Sequence, residues 1–301
     1  MNGPAGEKLR DPALVDFGVD AAGQGRRLER LAGLLVDRPL PQAEADRHRP
    51  TAWADADAVF RSPAGERGDW VFKFPPPDPW LVRVPLDSAT LALEVRPAPS
   101  GQIGVFLEQA EQWRWLARTT PPGAVMLSLF AHSGAATLAL AAAGAEVVHV
   151  DASKQAIALA RRNAAASGLA DRPIRWVCED AATFVARQAR RGARFSGAVL
   201  DPPSWGHGPR GQAFAIDRDL VPLLDAVARL LAGDGGPPAA PLLLTCHSLA
   251  WHHRRLRDTL ASACTAAGLP PGRFESGQLG CIDDAGRTLD LGDFARRTPS
   301  T

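Results

Sequence analysis

Four short apolar runs between residues 127 and 201 end in, or just before, residues suited to holding a polar ligand. Gly134 follows Leu127 to Phe130 in the turn Ser133-Gly134-Ala135-Ala136, and Asp151 closes the run from Glu146. Asp180 follows Ile174 to Glu179, and Asp201 closes the run from Gly197. A turn without side-chain bulk lets a ligand meet backbone, and a carboxylate at the tip of the next strand accepts hydrogen bonds from both hydroxyls of a ribose. Gly134 and Asp151 stand 17 positions apart, which fits a nucleotide-type crevice. An acidic residue at the third tip can accept a hydrogen bond from an adenine amino group. The same geometry serves dinucleotides, but their GxGxxG pyrophosphate turn is absent, since Gly134 stands alone in its turn.

The fourth tip reads Asp201-Pro202-Pro203-Ser204-Trp205. Two prolines fix φ and remove backbone donors, so the segment forms a rigid platform with its carbonyls outward. Such a platform can hold an exocyclic amine or ring nitrogen of a base beside a reactive group. Trp205 offers a stacking face, and Ser204, His207 and Arg210 are further candidate substrate contacts on the same loop.

These residues require a frame that presents strand ends on one edge. From about Val125 the chain alternates apolar runs with Ala-rich segments of helical length, the pattern of βαβ units in a parallel sheet. Strands are predicted at Val125 to Phe130, Glu146 to Asp151, Ile174 to Glu179, Gly197 to Asp201 and Leu242 to Cys246. Helices are predicted between and after them, at Ala135 to Ala143, Ser153 to Ser167, Ala181 to Arg191, Asp217 to Ala232 and Trp251 to Ala267, with Ser153 as an N-cap and Gly168 and Gly268 as stops. The fold class expected is α/β, a doubly wound Rossmann-like sheet with helices on both faces. A smaller β-rich extension is expected over residues 1–104, before a catalytic domain over 105–301. Within the extension, Trp70 to Phe74 and Trp80 to Val84 read as short strands separated by prolines.

The motifs LFAHSG, VDASKQAIALARRNAAASGL, EDA and DPPSWGHG, in that order, resemble the class I S-adenosylmethionine-dependent methyltransferases, within them the bacterial 23S ribosomal RNA family that includes cytosine-C5 and guanine-N7 enzymes. Gly104 to Gln109 resembles that family's FLDQR-type segment, with Glu108 and Ala110 where the family usually shows Asp and Arg. The first hundred residues do not read as the family's RNA-binding PUA module. The resemblance implies S-adenosylmethionine as cofactor, held at Phe130, Ser133, Gly134, Asp151, Ala152, Ser153, Asp180, Ala181 and Asp201, with Phe106 and Gln109 closing over the site. It also implies RNA, large-subunit ribosomal RNA above all, as partner.

Two routes to the methyl acceptor are open at this point. An amine supplies its own electron pair, whereas carbon 5 of cytosine needs a thiolate to add at carbon 6 first. Cys246, in Leu244-Thr245-Cys246-His247-Ser248, resembles the Thr-Cys-Ser segment that bears such a thiol, and His247 could activate it or orient the base. The inert alternative is a packed strand-end cysteine. The catalytic candidates are therefore Asp201, Pro202, Pro203 and Cys246, and His247 is a substrate contact. Cys246, His247, His252 and His253 do not form a metal-binding spacing, and no metal is expected.

The 301 residues carry a formal net charge of +1, so any polyanion must be held by local patches rather than by a global field. Arg26, Arg27, Arg30 and Arg210 are the expected phosphate contacts. The four cysteines lack CxxC spacing, and no apolar run is long enough to span a bilayer, which together suggest a cytoplasmic protein. Methylation of a small molecule or protein by the same fold, and a noncatalytic RNA-binding assembly factor, are the competing functions.

Overall fold

The computed structural model describes residues 11–62, 67–207, 213–231 and 239–300, with the side chain of His207 outside the description. The chain forms two compact units that interleave in sequence, in place of a single cut after residue 104. The first comprises residues 1–84, 94–107 and 281–289; the second comprises 85–93, 108–280 and 290–301.

In the first unit, strands β1 (Ala13–Val19), β2 (Gly25–Leu31), β3 (Leu34–Pro39), β4 (Ala58–Arg61) and β5 (Asp69–Phe72) lie in sequence order in one sheet. Neighbours are antiparallel except β3 and β4, which are parallel. The sheet buries charge as well as hydrocarbon. Arg26 binds Asp37 at 2.6 Å, and Arg38 and Arg27 bind Glu29 at 2.6 and 3.5 Å. Burial raises the Glu29 carboxyl, but the flanking Arg27 and Arg38 outweigh it and hold the group below its usual range. Arg26 and Arg27 are 8% and 5% exposed, so they neutralise buried carboxylates instead of forming the phosphate patch expected from their clustering.

Asp16 is the hub of this unit. Its fully buried carboxylate accepts hydrogen bonds from the backbone of Phe17, His48 and Arg49, from the Trp53 indole and from the Arg287 guanidinium. Strands β6 (Leu81–Pro85) and β7 (Thr90–Glu94) span the residues where the chain leaves this unit and returns to it.

The second unit opens with helix α1 (Ala110–Thr119), which the sequence reading did not expect. It continues as β8 (Val125–Leu129), α2 (Ala135–Ala142), β9 (Glu146–Asp151), α3 (Lys154–Ala166), β10 (Ile174–Cys178), α4 (Ala181–Arg190) and β11 (Gly197–Leu200). Then come β12 (Trp205–His207), β13 (Ala213–Ala215), α5 (Ile216–Leu231), β14 (Leu242–Cys246), α6 (His253–Ala266), β15 (Gly272–Ile282) and β16 (Thr288–Pro299). The seven-stranded sheet has the order β10-β9-β8-β11-β14-β16-β15. Its first five strands are parallel and β16 runs antiparallel to β14. The α/β class and the five predicted parallel strands are thus present, each within one residue of its expected bounds. Strands β11 and β14 are buried along their whole length, as expected when helices cover both faces.

Strands β15 and β16 were not expected. Arg273, Glu275, Gln278, Asp290 and Arg296 interrupt them, and at the edge of a sheet such residues pair with each other: Arg296 with Glu275 at 3.0 Å, Gln278 with Asp290 at 3.0 Å.

His149 lies within β9, fully buried. Its Nδ1 is 3.0 Å from the Thr137 hydroxyl and its ring is 4.7 Å from that of Trp176. Burial, reinforced by nearby His132, pushes its pKa from 6.5 down to about 3. The unfolded chain takes up this proton near pH 6.5 and the folded chain refuses it, so protonation favours unfolding and stability falls as pH drops from about 6.5 towards 3. Urea unfolding followed between pH 7 and pH 4 should show wild type losing about 1.4 kcal/mol more per pH unit than His149→Gln below pH 6.

Candidate active site

The turn between β8 and α2 is shaped by its backbone. Phe130 and His132 have φ of +54° and +43°, and Gly134 has φ of +84°. Two non-glycine residues in the left-handed region are costly unless their surroundings hold them. Here Asp151, at the tip of β9, accepts a 2.8 Å hydrogen bond from the His132 N–H through one carboxylate oxygen and a 2.8 Å bond from the Ser153 N–H through the other. Asn163 of α3, fully buried, donates to the Ser133 carbonyl at 2.8 Å. A Cβ on Gly134 would stand 2.9 Å from the Cβ of Ala160, so glycine answers both the conformation and the close approach of α3. His132 itself is exposed.

This arrangement fits a nucleoside. The two backbone donors fix the plane of the Asp151 carboxylate, and each oxygen retains a lone pair for a ribose hydroxyl. Asp180 caps α4, one oxygen accepting from the Thr183 N–H and hydroxyl at 2.8 Å each. Asp180 also edges a cleft of about 410 Å³ walled by Ala182, Thr183, Phe214, Pro222 and Leu223, where an aromatic ring meets apolar surface. Phe130 packs on Phe214 with ring centroids 5.1 Å apart. Ser153 caps α3 through its hydroxyl, Ala152 supplies the carbonyl that accepts from Cys178, and Ala181 is buried in the first turn of α4. Phe106 belongs to the first unit.

The carboxyl ends of β11 and β14 bring a second group together. Asp201 accepts from the Thr245 hydroxyl at 2.6 Å on one oxygen and from the Gln109 amide at 2.9 Å on the other. The same Gln109 nitrogen lies 3.3 Å from His247 Nε2, and His247 Nε2 is 3.9 Å from Asp201. Pro202 is buried and Pro203 exposed, while the Ser204 carbonyl accepts from the Ile216 N–H, anchoring the platform to α5. Trp205 is 60% exposed on β12. The side chain of His207 and all of Arg210 lie outside the described residues.

Cys246 belongs to the core. Its side chain has no exposed surface, packs with Leu200, Leu244 and Trp251, and accepts from the Ser248 N–H at 3.3 Å. Burial pushes the thiol pKa up to about 11, with Asp201, Asp293 and Asp217 adding to the rise against the Ser248 hydrogen bond. An inaccessible, protonated thiol is not a nucleophile, which corrects the covalent route left open by the sequence. Thr245, Asn163 and the backbone of β16 behind His247 were missed. A signal for Thr245 existed: side chains alternate along a strand, so Thr245 and His247 share a direction that Cys246 does not.

Residues 131–200 match the methyltransferase domain family. The chain is similar to the crystal structure of a SAM-dependent methyltransferase from Agrobacterium tumefaciens, with 32% identity, a TM-score of 0.84, and coverage of 97% of this chain and 91% of that one. It is 30% identical over 134 residues to ribosomal RNA large subunit methyltransferase K of Neisseria meningitidis, covering 44% of this chain and 38% of that protein. It is 28% identical over 192 residues to the 23S rRNA (uracil(1939)-C(5))-methyltransferase RlmD of Acidithiobacillus ferrooxidans, covering 62% of this chain and 42% of that protein. The chain thus spans about two fifths of the length of these two curated relatives.

The geometry makes the β8–α2 turn sensitive to one methyl group. Gly134→Ala should weaken binding of a SAM-type nucleoside at least tenfold by calorimetry and lower stability by about 1–3 kcal/mol, because the αL residue gains a Cβ. Asn163→Ala, which leaves the buried Ser133 carbonyl without its donor, should cost about 1–3 kcal/mol in urea unfolding.

Proposed function

The chain belongs to the S-adenosylmethionine-dependent methyltransferases, and we propose that it methylates a nitrogen on a base of large-subunit ribosomal RNA in the cytoplasm. The observation that carries this reading is the Asp201 carboxylate, held by Thr245 and Gln109 beside a buried proline platform and an exposed Trp205. The names of the two curated relatives, both ribosomal RNA methyltransferases, supply the substrate class.

When bound, the cofactor supplies an electrophilic methyl group on a sulfonium whose departure leaves a neutral thioether. Asp151 would hold its ribose, and Asp180 with the cleft on α4 and α5 its adenine. The protein's own task at the acceptor is orientation. Asp201 accepts a hydrogen bond from the base's N–H, which turns the nitrogen lone pair towards the methyl donor and stabilises the positive charge that develops on that nitrogen. Its two anchors keep the carboxylate from rotating, and the prolines leave no backbone N–H to compete for the base. Trp205 presents an aromatic face on which a base taken out of its stack can rest. RlmD's name places its methyl group on carbon 5 of uracil; with Cys246 buried in the core, the thiol at the end of β14 is not presented to a ring carbon for that chemistry, and nitrogen is the better acceptor.

No described helix is long and apolar enough to cross a membrane.

With methyl-labelled donor and unmodified ribosomal RNA transcripts, label should enter RNase-sensitive material. Label confined to protein, to small molecules or to nothing at all would remove the RNA reading. Asp201→Ala should lower the rate by about 10²-fold or more, the scale of losing a preorganised electrostatic contact, while donor binding changes by less than about threefold. Cys246→Ala should keep at least about half of the wild-type rate, since a thiol held protonated contributes no nucleophile.

A further inference from the structure

His247 sits where β14 ends, and its ring orientation is dictated from two sides. Its Nδ1 lies 2.8 Å from the carbonyl of Leu291 on β16. A carbonyl only accepts, so Nδ1 must carry the hydrogen. Its Nε2 lies 3.3 Å from the Gln109 amide nitrogen, which only donates, so Nε2 presents its lone pair. The two contacts independently select the same neutral tautomer. The strand behind is shaped to allow it: a Cβ at Gly292 would stand 3.0 Å from His247 Nδ1 and 2.6 Å from the Cys246 carbonyl. The imidazole side chain is 33% exposed, and its Nε2 is 3.9 Å from Asp201, the carboxylate proposed to receive the acceptor's N–H.

A basic nitrogen whose other ring nitrogen is fixed by a backbone carbonyl is the arrangement of a general base. We propose that His247 Nε2 takes up the proton released by the methylated nitrogen, an assignment that rests on the N-methylation reading above. Once an amine has formed its new N–C bond it is cationic. The N–H bond then breaks with its electron pair returning to the substrate nitrogen, an Nε2–H bond forms on His247, and the imidazolium passes its proton to solvent. Gln109 is the positioning residue: one amide group donates to Asp201 and approaches His247, so a single side chain sets the carboxylate that orients the acceptor and the base that relieves it of charge.

The tautomer is tested without any acceptor. Histidine-selective ¹⁵N spectra of the full chain, with His247 assigned by comparison with His247→Gln, should show Nδ1 protonated and Nε2 unprotonated in the neutral ring. A neutral ring protonated on Nε2 would overturn the assignment whatever the substrate proves to be. In single-turnover methylation of unmodified 23S ribosomal RNA, His247→Ala should react about 10²-fold more slowly or worse, with RNA and donor affinities within about threefold of wild type, and should recover part of the rate in added imidazole. A His247→Ala rate within about threefold of an active wild type would sink the proton-acceptor role. Wild type inert towards RNA, with the expected tautomer present, would instead remove the RNA reading and leave the basic Nε2 in place.

Discussion

A carboxylate at the edge of an apolar parallel sheet needs donors that fix its direction, and at Asp201 those donors come from two different elements. Thr245 reaches it from the neighbouring strand β14, and Gln109 from the turn that opens α1. The strand order β8-β11-β14-β16 makes this possible, since β11 and β14 are parallel neighbours whose ends meet at the same edge. A free carboxylate there would rotate and hydrate. Tied on both oxygens, it keeps its remaining lone pairs pointed at one place, which is what an enzyme that works by orientation requires. The antiparallel strand β16 then supplies the carbonyl that fixes His247 beside it.

The donor side follows the same logic with different means. Residues at positive φ bend the β8–α2 turn, and their cost is met by hydrogen bonds from outside the turn. Asp151 holds the His132 N–H and Asn163 holds the Ser133 carbonyl. His149 lies beneath this turn as a neutral, buried ring, 3.7 Å from where a Cβ on Gly134 would stand. The turn is therefore backed by packing from β9 and α3.

The parallel core was legible because fully buried strands are continuous apolar runs, and Leu242–Cys246 and Gly197–Leu200 could hardly be anything else. The strand-tip carboxylates were legible for the complementary reason, that charge stands out at the end of such runs. Charge inside a strand misled in two places. Arg26 and Arg27 read as a basic patch, yet Asp37 and Glu29 neutralise them within the sheet, a pairing between strands that linear spacing does not reveal. The residues of β15 and β16 drew no strand expectation, because charged and polar residues interrupt their apolar positions. Cys246 shows a different limit: resemblance suggested a thiol, whereas alternation along β14 already set Thr245 and His247 apart from it. Gln109 was singled out for a cofactor role by its motif, and only three-dimensional placement showed its amide bonded to Asp201.

The ribbon of β15 and β16 is shared property. Leu291 and Gly292, partway along it, stand behind His247, while Arg287, at its tip, completes the cluster around Asp16 in the other unit. A gene fragment encoding residues 105 to the end would therefore carry a tip severed from the carboxylate it neutralises, and a fragment stopping before residue 280 would lack the backing of its imidazole.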